Sequence, residues 1–296
     1  MSKRSTFQRY TIVCTLSLYL IGSLTGCQEQ HHSPKDKTTA ASSDTGEKQE
    51  KPSMGEFENC FQEKYIPSTL TQKDIESDTV QWICSSYAIY TKYNKKDLGY
   101  IGGTSEEHLE TYQYALKDAL RSGWKIYDRE SLCHSLQKLL STGERSEYQK
   151  TIHSMVENGL MDMTEEELIA QVESQNGDEE EFRFLYRSYQ DLGKKALDGW
   201  DYCRALQVLG DCYQTGYISL EECLDQSLVI AQKLQSTFSS WEEVAKSYLY
   251  GHFYHKRDHI DTEWCWDIYE ELKSSENNPY QIPYDTPLTD NWNKNL

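Results

Sequence analysis

The stretch Ser131-Leu132-Cys133-His134-Ser135-Leu136-Gln137-Lys138-Leu139-Leu140 decides the fold. Its leucines recur at three- and four-residue steps, which puts one apolar stripe on a helix and lacks the strict alternation of a half-buried strand. The same steps appear in Val80, Ile83, Tyr87 and Tyr90, and again in Leu109, Tyr112, Leu116 and Leu120. No proline lies between Pro67 and Pro279. Proline costs a helix interior about 3 kcal/mol, so a proline-free run of this length suits a helical block.

Starts and stops can be read as well. Thr104 with Glu107, Thr164 with Glu167, Ser219 with Glu222 and Ser239 with Glu242 have capping-box spacing and predict four helix N-termini. Gly123, Gly143, Gly159, Gly177 and Gly216 follow apolar-periodic segments and predict left-handed closures. The acidic clusters at 106–107, 165–167, 178–181, 221–222 and 242–243 fall in predicted first turns, where the helix dipole favours them. The segment 176–181 lacks the alternating oxygen ligands of a calcium loop, which favours a helix cap there. The reading is all-α: a single domain of eight to ten helices over about 57–274, followed by an extended or disordered tail at 275–296 that is rich in Pro and Asn.

Upstream, residues 1–26 form a cationic start, an apolar stretch from Ile12 to Leu24 and a small-residue end, the layout of a secretory signal peptide. The apolar stretch is short for a bilayer span, which needs roughly 18 to 20 residues. Leu24-Thr25-Gly26-Cys27 resembles a bacterial lipobox, in which the Cys27 thiol carries diacylglycerol after cleavage. Residues 27–56 then read as a lipidated cysteine and polar tether with a reach of about 30 Å. The expected location is the extracytoplasmic face of a membrane, held by the N-terminal lipid. Removing Lys3, Arg4 and Arg9 with the leader takes the formal charge from −18 to −21. Such a charge repels phosphate backbones and excludes nucleic acid as a natural partner.

The chemistry-bearing residues are sparse. Beyond Cys14 and Cys27, seven cysteines remain, none with two-residue metal spacing; Cys212 and Cys223 flank the turn at Gly216-Tyr217-Ile218, so they are either bridged across a hairpin or free core thiols. His252, His255 and His259 would share one face of a continuous helix, with Asp258, Asp261 and Cys265 nearby, as metal ligands or as helix-end residues. His31-His32 lies on the tether and has no fixed geometry. Nucleophile-elbow, P-loop, zincin and dinucleotide motifs are absent, and no cofactor is implied.

Gly199-Trp200-Asp201 through Arg204, Thr215-Gly216-Tyr217-Ile218-Ser219, Phe238-Ser239-Ser240-Trp241-Glu242-Glu243 and Tyr248-Leu249-Tyr250-Gly251 resemble a bacterial family, domain of unknown function 1266. Gly123-Trp124-Lys125-Ile126 with Asp128-Arg129-Glu130 looks like that family's front half, and the likeness runs from about Trp82 to His255. The resemblance implies a helical domain and brings no activity, substrate or catalytic residues with it. Read physically, Asp201 and Arg204 are an i, i+3 pair that either clasps helices together or opens on a cleft floored by Trp200 and Trp241, with Glu242 and Tyr248 from a neighbouring helix. Two functions follow as expectations. One is a noncatalytic binding module for an envelope protein, peptide or glycan; the other is an envelope enzyme using Asp201, Glu242 and His255.

Overall fold

The computed structural model describes residues 70–292. The leader, Cys27, the tether and Cys60 lie outside them. Among the described residues there are α-helices, short 3-10 turns and one π turn, and no strand. The α-helices are α1 (Asp78–Ser86), α2 (Ala88–Tyr93), α3 (Leu109–Ala119), α4 (Arg129–Thr142), α5 (Glu144–Glu157), α6 (Glu165–Ser174), α7 (Glu179–Leu192), α8 (Asp198–Gln214), α9 (Leu220–Thr237), α10 (Trp241–Lys256) and α11 (His259–Ser274). Only Tyr87 divides α1 from α2, so the two are one bent helix and the expected number of helices stands.

Helix α8 is the axis. It is buried almost all round, including Trp200, Asp201, Cys203, Leu206, Leu209, Asp211 and Cys212, because α9, α10, α1, α4 and the turn Ile101–Gly103 surround it. A helix apolar on every side belongs in a core. Its close crossings need small residues. A side chain at Gly251 of α10 would overlap Trp200, and one at Gly210 would meet the backbone of Gly102. The charge of Asp211 is paired by Lys96 at 2.8 Å and Gln207 donates to it, so this buried acid is not isolated.

The apolar residues form two cores. The larger joins α1, α4, α8, α9, the first half of α10 and α11. The smaller gathers Tyr148, Ile152 and Met155 of α5, Leu168 and Val172 of α6, and Phe182 and Leu185 of α7 around Phe253 and Tyr254. Helix α10 belongs to both, its early turns to one and its last turn to the other.

Two capping boxes stand as expected: Thr164 with Glu167 and Ser219 with Glu222. Two shift. Helix α10 starts one residue later than read, with Ser240 accepting from the Glu243 N–H at 3.2 Å, and Glu243 rather than Glu242 reaching back to the Ser239 N–H at 3.0 Å. Glu243 wins because Lys195 holds it at 2.8 Å, and Glu242 is left exposed. Thr104 caps nothing; the two positive-φ glycines before it bring it into the core, and α3 begins only at Leu109. A box missed in the sequence, Asp128 with Ser131, starts α4. Gly159 and Gly216 are left-handed closures, but Lys125 and Asn176 take that conformation where Gly123 and Gly177 were expected to. At 178, Asp178 accepts from the Glu181 N–H at 3.2 Å, as a helix cap should.

Of the tail expected to be extended or disordered, residues 275–292 are described; they hold one 3-10 turn, Pro279–Gln281, and dock on the larger core. Ile282 and Leu288 are buried in the larger core. The indole N–H groups of Trp82 and Trp241 donate to the carbonyls of Tyr284 and Ile282, both at 2.9 Å. Gln235 donates to Tyr284 O at 2.7 Å and Thr286 O at 2.9 Å. The tail satisfies polar atoms that sequence periodicity does not register.

Candidate functional site

The junction of α4 and α5 is a corner of one residue, Gly143. A corner so tight leaves the carbonyls ending α4 and the N–H groups starting α5 without helical partners. Two side chains supply them. Arg145 donates to the carbonyls of Leu139 and Leu140. Asp201, from the buried axis helix, accepts from the N–H groups of Glu144 at 3.3 Å and Arg145 at 3.0 Å, and Arg145 Nη1 lies 3.4 Å from its carboxylate. Burial pushes the Asp201 carboxyl above its ordinary range, against the pull of the Arg145 N–H and guanidinium. A side chain at Gly143 would overlap Asp201, which fixes glycine there.

Asp201 therefore clasps helices, but its ionic partner is Arg145 rather than Arg204. The expected Asp201–Arg204 pair is not a salt bridge, because the carboxylate is already occupied at the corner. Arg204 instead lies against two indoles, its guanidinium carbon 4.6 Å from the Trp124 ring and 4.6 Å from the Trp200 ring. Trp124 is brought there by a π turn, Leu120–Trp124, that ends α3 before the left-handed Lys125. Trp200 also meets Tyr248 at 5.0 Å, His252 at 5.6 Å and His255 at 5.8 Å. Burial pushes the Tyr248 hydroxyl well above its usual range and lowers the Arg204 pKa.

The remaining sequence candidates separate. Trp241 does not share a floor with Trp200; its ring lies against Trp82, Tyr280 and Tyr284 and anchors the tail. Tyr248 is seven residues further along α10, about 10 Å at the helical rise, which explains the separation. Glu242 is exposed and reaches Lys246 at 3.4 Å. The histidines do not converge, because α10 ends at Arg257 in a left-handed conformation. His252 meets Thr262 at 3.0 Å, His255 meets Glu144 at 2.9 Å and His259 turns to Glu180. Among the described residues no group of His, Cys, Asp and Glu could hold a metal ion. Cys212 and Cys223 are buried free thiols, as are Cys84, Cys203 and Cys265. Burial pushes the Cys212 and Cys223 thiols up, which makes them core residues rather than nucleophiles.

A cleft of about 650 Å³ runs between α7, α10 and α11, and no motif in the sequence marks it. Phe184, Leu249, Tyr250, Phe253 and Trp266 line it. Its rim carries both signs: Glu165 binds Arg183 at 2.8 Å and Arg187 at 2.7 Å, and Lys246 lies 3.6 Å from Asp191, which also accepts from the Tyr250 hydroxyl at 3.0 Å. Trp266 is 38% exposed and Ile260, on the same helix, 81%. The signal in the sequence was the set of three apolar positions on α11, Ile260, Trp264 and Trp266, that the structure leaves exposed and that a single-faced helix would not carry.

No curated protein and no solved structure matches this chain. The family model described as protein of unknown function (DUF1266) matches residues 119–284, which span the corner, the α8–α10 seam, the cleft and the first part of the docked tail. On that match, over more than half its length, the chain belongs to the DUF1266 family.

Proposed function

We propose that this is a lipid-anchored protein of the extracytoplasmic face whose helical domain is a noncatalytic binding module, with a peptide segment of an envelope protein as its ligand. The cleft between α7, α10 and α11 carries the binding reading. Its aromatic floor suits apolar side chains, and a rim of both signs suits a polypeptide better than a uniformly charged polymer. The rival enzyme set is less well supported. Asp201 and His255 both meet Glu144, at its backbone N–H and its carboxylate, while Glu242 stands apart with Lys246.

Panning a random peptide library against the intact mature chain should enrich sequences with a central aromatic or aliphatic residue. Those peptides should bind Trp266→Ala about thirtyfold more weakly, as expected for an aromatic anchor. The substitution should cost under about 1 kcal/mol of stability, because the side chain is partly exposed. Enriched peptides indifferent to Trp266 would remove this cleft as the site.

The membrane placement rests on Leu24 to Cys27. Among the described residues no helix is long and apolar enough to cross a membrane. Cells fed a labelled fatty acid should place label on the protein, and Cys27→Ala should remove it; labelling that survives the substitution sinks the lipid anchor.

A further inference from the structure

Three donors at the seam of α8 and α10 have no acceptor among the described residues. The Trp200 indole N–H is buried without a partner. The Tyr248 hydroxyl, on a residue 6% exposed, makes no hydrogen bond, and its ring is 5.0 Å from that of Trp200. Arg204 makes neither a hydrogen bond nor a close ion pair there; its guanidinium lies against the two indoles and feels Asp201 and Glu144 at longer range. Asp201, one turn back on the same helix, would be the ordinary acceptor for Arg204, but the α4–α5 corner has taken it. Of the three, the Trp200 N–H is the one wholly shut off from solvent, where an unmet donor is costly, and an acceptor placed beside it would relieve that cost.

The chemistry of that acceptor follows from geometry and charge. With the Trp124 and Trp200 rings each 4.6 Å from the guanidinium carbon, the in-plane N–H edge is the part of Arg204 best placed to meet a ligand. An edge of that kind matches a planar carboxylate in bidentate fashion. Asp201 and Glu144 face Arg204, Asp201 being held by Arg145 and Glu144 by His255, with Asp198 further along the Arg145 side. With carboxyl groups already present, a single negative charge is better tolerated than a phosphate dianion. Arg204 and Trp124 are both partly exposed, so the edge is reached from the surface.

We propose that the Arg204 seam is a carboxylate-binding site, separate from the aromatic cleft, in which the Arg204 edge takes the anion and Trp200 Nε1 and the Tyr248 hydroxyl supply the further donors. The carboxylate is either a small free acid or the C-terminus of a peptide.

The test is a titration of the ¹⁵N-labelled mature chain at constant ionic strength, read at the indole N–H resonances of its seven tryptophans. The Trp200 resonance is assigned by its loss in Trp200→Phe. The probes are sodium acetate, N-acetyl-Ala-Ala as the free acid and as the amide, inorganic phosphate, and chloride as the reference. The Trp200 resonance should move saturably with acetate and with the free-acid peptide, and not with the amide or chloride. Tighter binding of the peptide acid than of acetate identifies a chain terminus as the source; equal binding identifies a small acid. Arg204→Lys, which keeps the charge and loses the bidentate edge, should weaken binding about ten- to a hundredfold. Tyr248→Phe, which removes only the hydroxyl, should weaken it several-fold with the fold retained. No saturable shift with either carboxylate, an amide as good as the acid, preference for phosphate, or undiminished binding in Arg204→Lys would each overturn the proposal. The peptide panning at Trp266 reads a different site, so either reading can fail without the other.

Discussion

Ending the chain after Ser274 should leave a protein without a cooperative melting transition. The segment beyond that residue buries Ile282 and Leu288 in the larger core and supplies the carbonyls that accept from Trp82 and Trp241. Losing the two apolar side chains costs about 1.5 to 3 kcal/mol each. The two indole N–H groups left without acceptors cost roughly 1 to 3 kcal/mol each. The total, about 5 to 12 kcal/mol, is comparable with the whole stability of an ordinary domain, about 5 to 15 kcal/mol. The measurement is a thermal melt followed by circular dichroism on the chain with and without residues 275–296. A truncated chain that melts sharply within about 2 kcal/mol of its parent would reduce the tail to an accessory.

Asp201→Ala should be the most damaging single substitution at the seam, at about 3 to 5 kcal/mol. It strips two α5 N–H groups of their acceptor and leaves the Arg145 guanidinium in a half-buried place without its carboxylate. Asp201→Asn should cost about half as much, because an amide oxygen still accepts from the corner N–H groups while only the ion pair with Arg145 is lost. The partner is decided by double-mutant cycles in denaturant melts. Asp201 with Arg145 should be strongly nonadditive, whereas Asp201 with Arg204 should sum to within about 0.5 kcal/mol. Strong coupling to Arg204 would restore the clasp between that pair and undo the account of its unmet donors.

The all-helical architecture was legible because its signals are local. Leu132, Leu136 and Leu139 are buried on one face of α4, and Thr164 and Ser219 cap their helices through atoms three residues away. What the sequence concealed is nonlocal. Nothing near Asp201 announces that residues 57 positions earlier would claim its carboxylate, and the i, i+3 spacing to Arg204 offered a nearer partner that lost. The tail was obscure for a similar reason: its prolines rule out a long helix but say nothing about docking, and its acceptors serve residues as distant as Trp82. Of the expected site residues Trp200, Arg204 and Tyr248 lie together, whereas Trp241 and Glu242, near Tyr248 along α10, pack in other parts of the molecule. The cleft needed three helices in place before it could be recognised at all.

The one-residue corner at Gly143 has a consequence for the order of folding. During synthesis α4 and α5 are complete before Asp201 is added, yet the groups at their junction find an acceptor only when the axis helix docks. Until then the two helices are free to splay, with water satisfying the α5 N–H groups. The corner is thus a latch set by a later part of the chain, and its loop of 57 residues is cheaper to close than the 202 residues between Trp82 and Tyr284 that the docked tail must span.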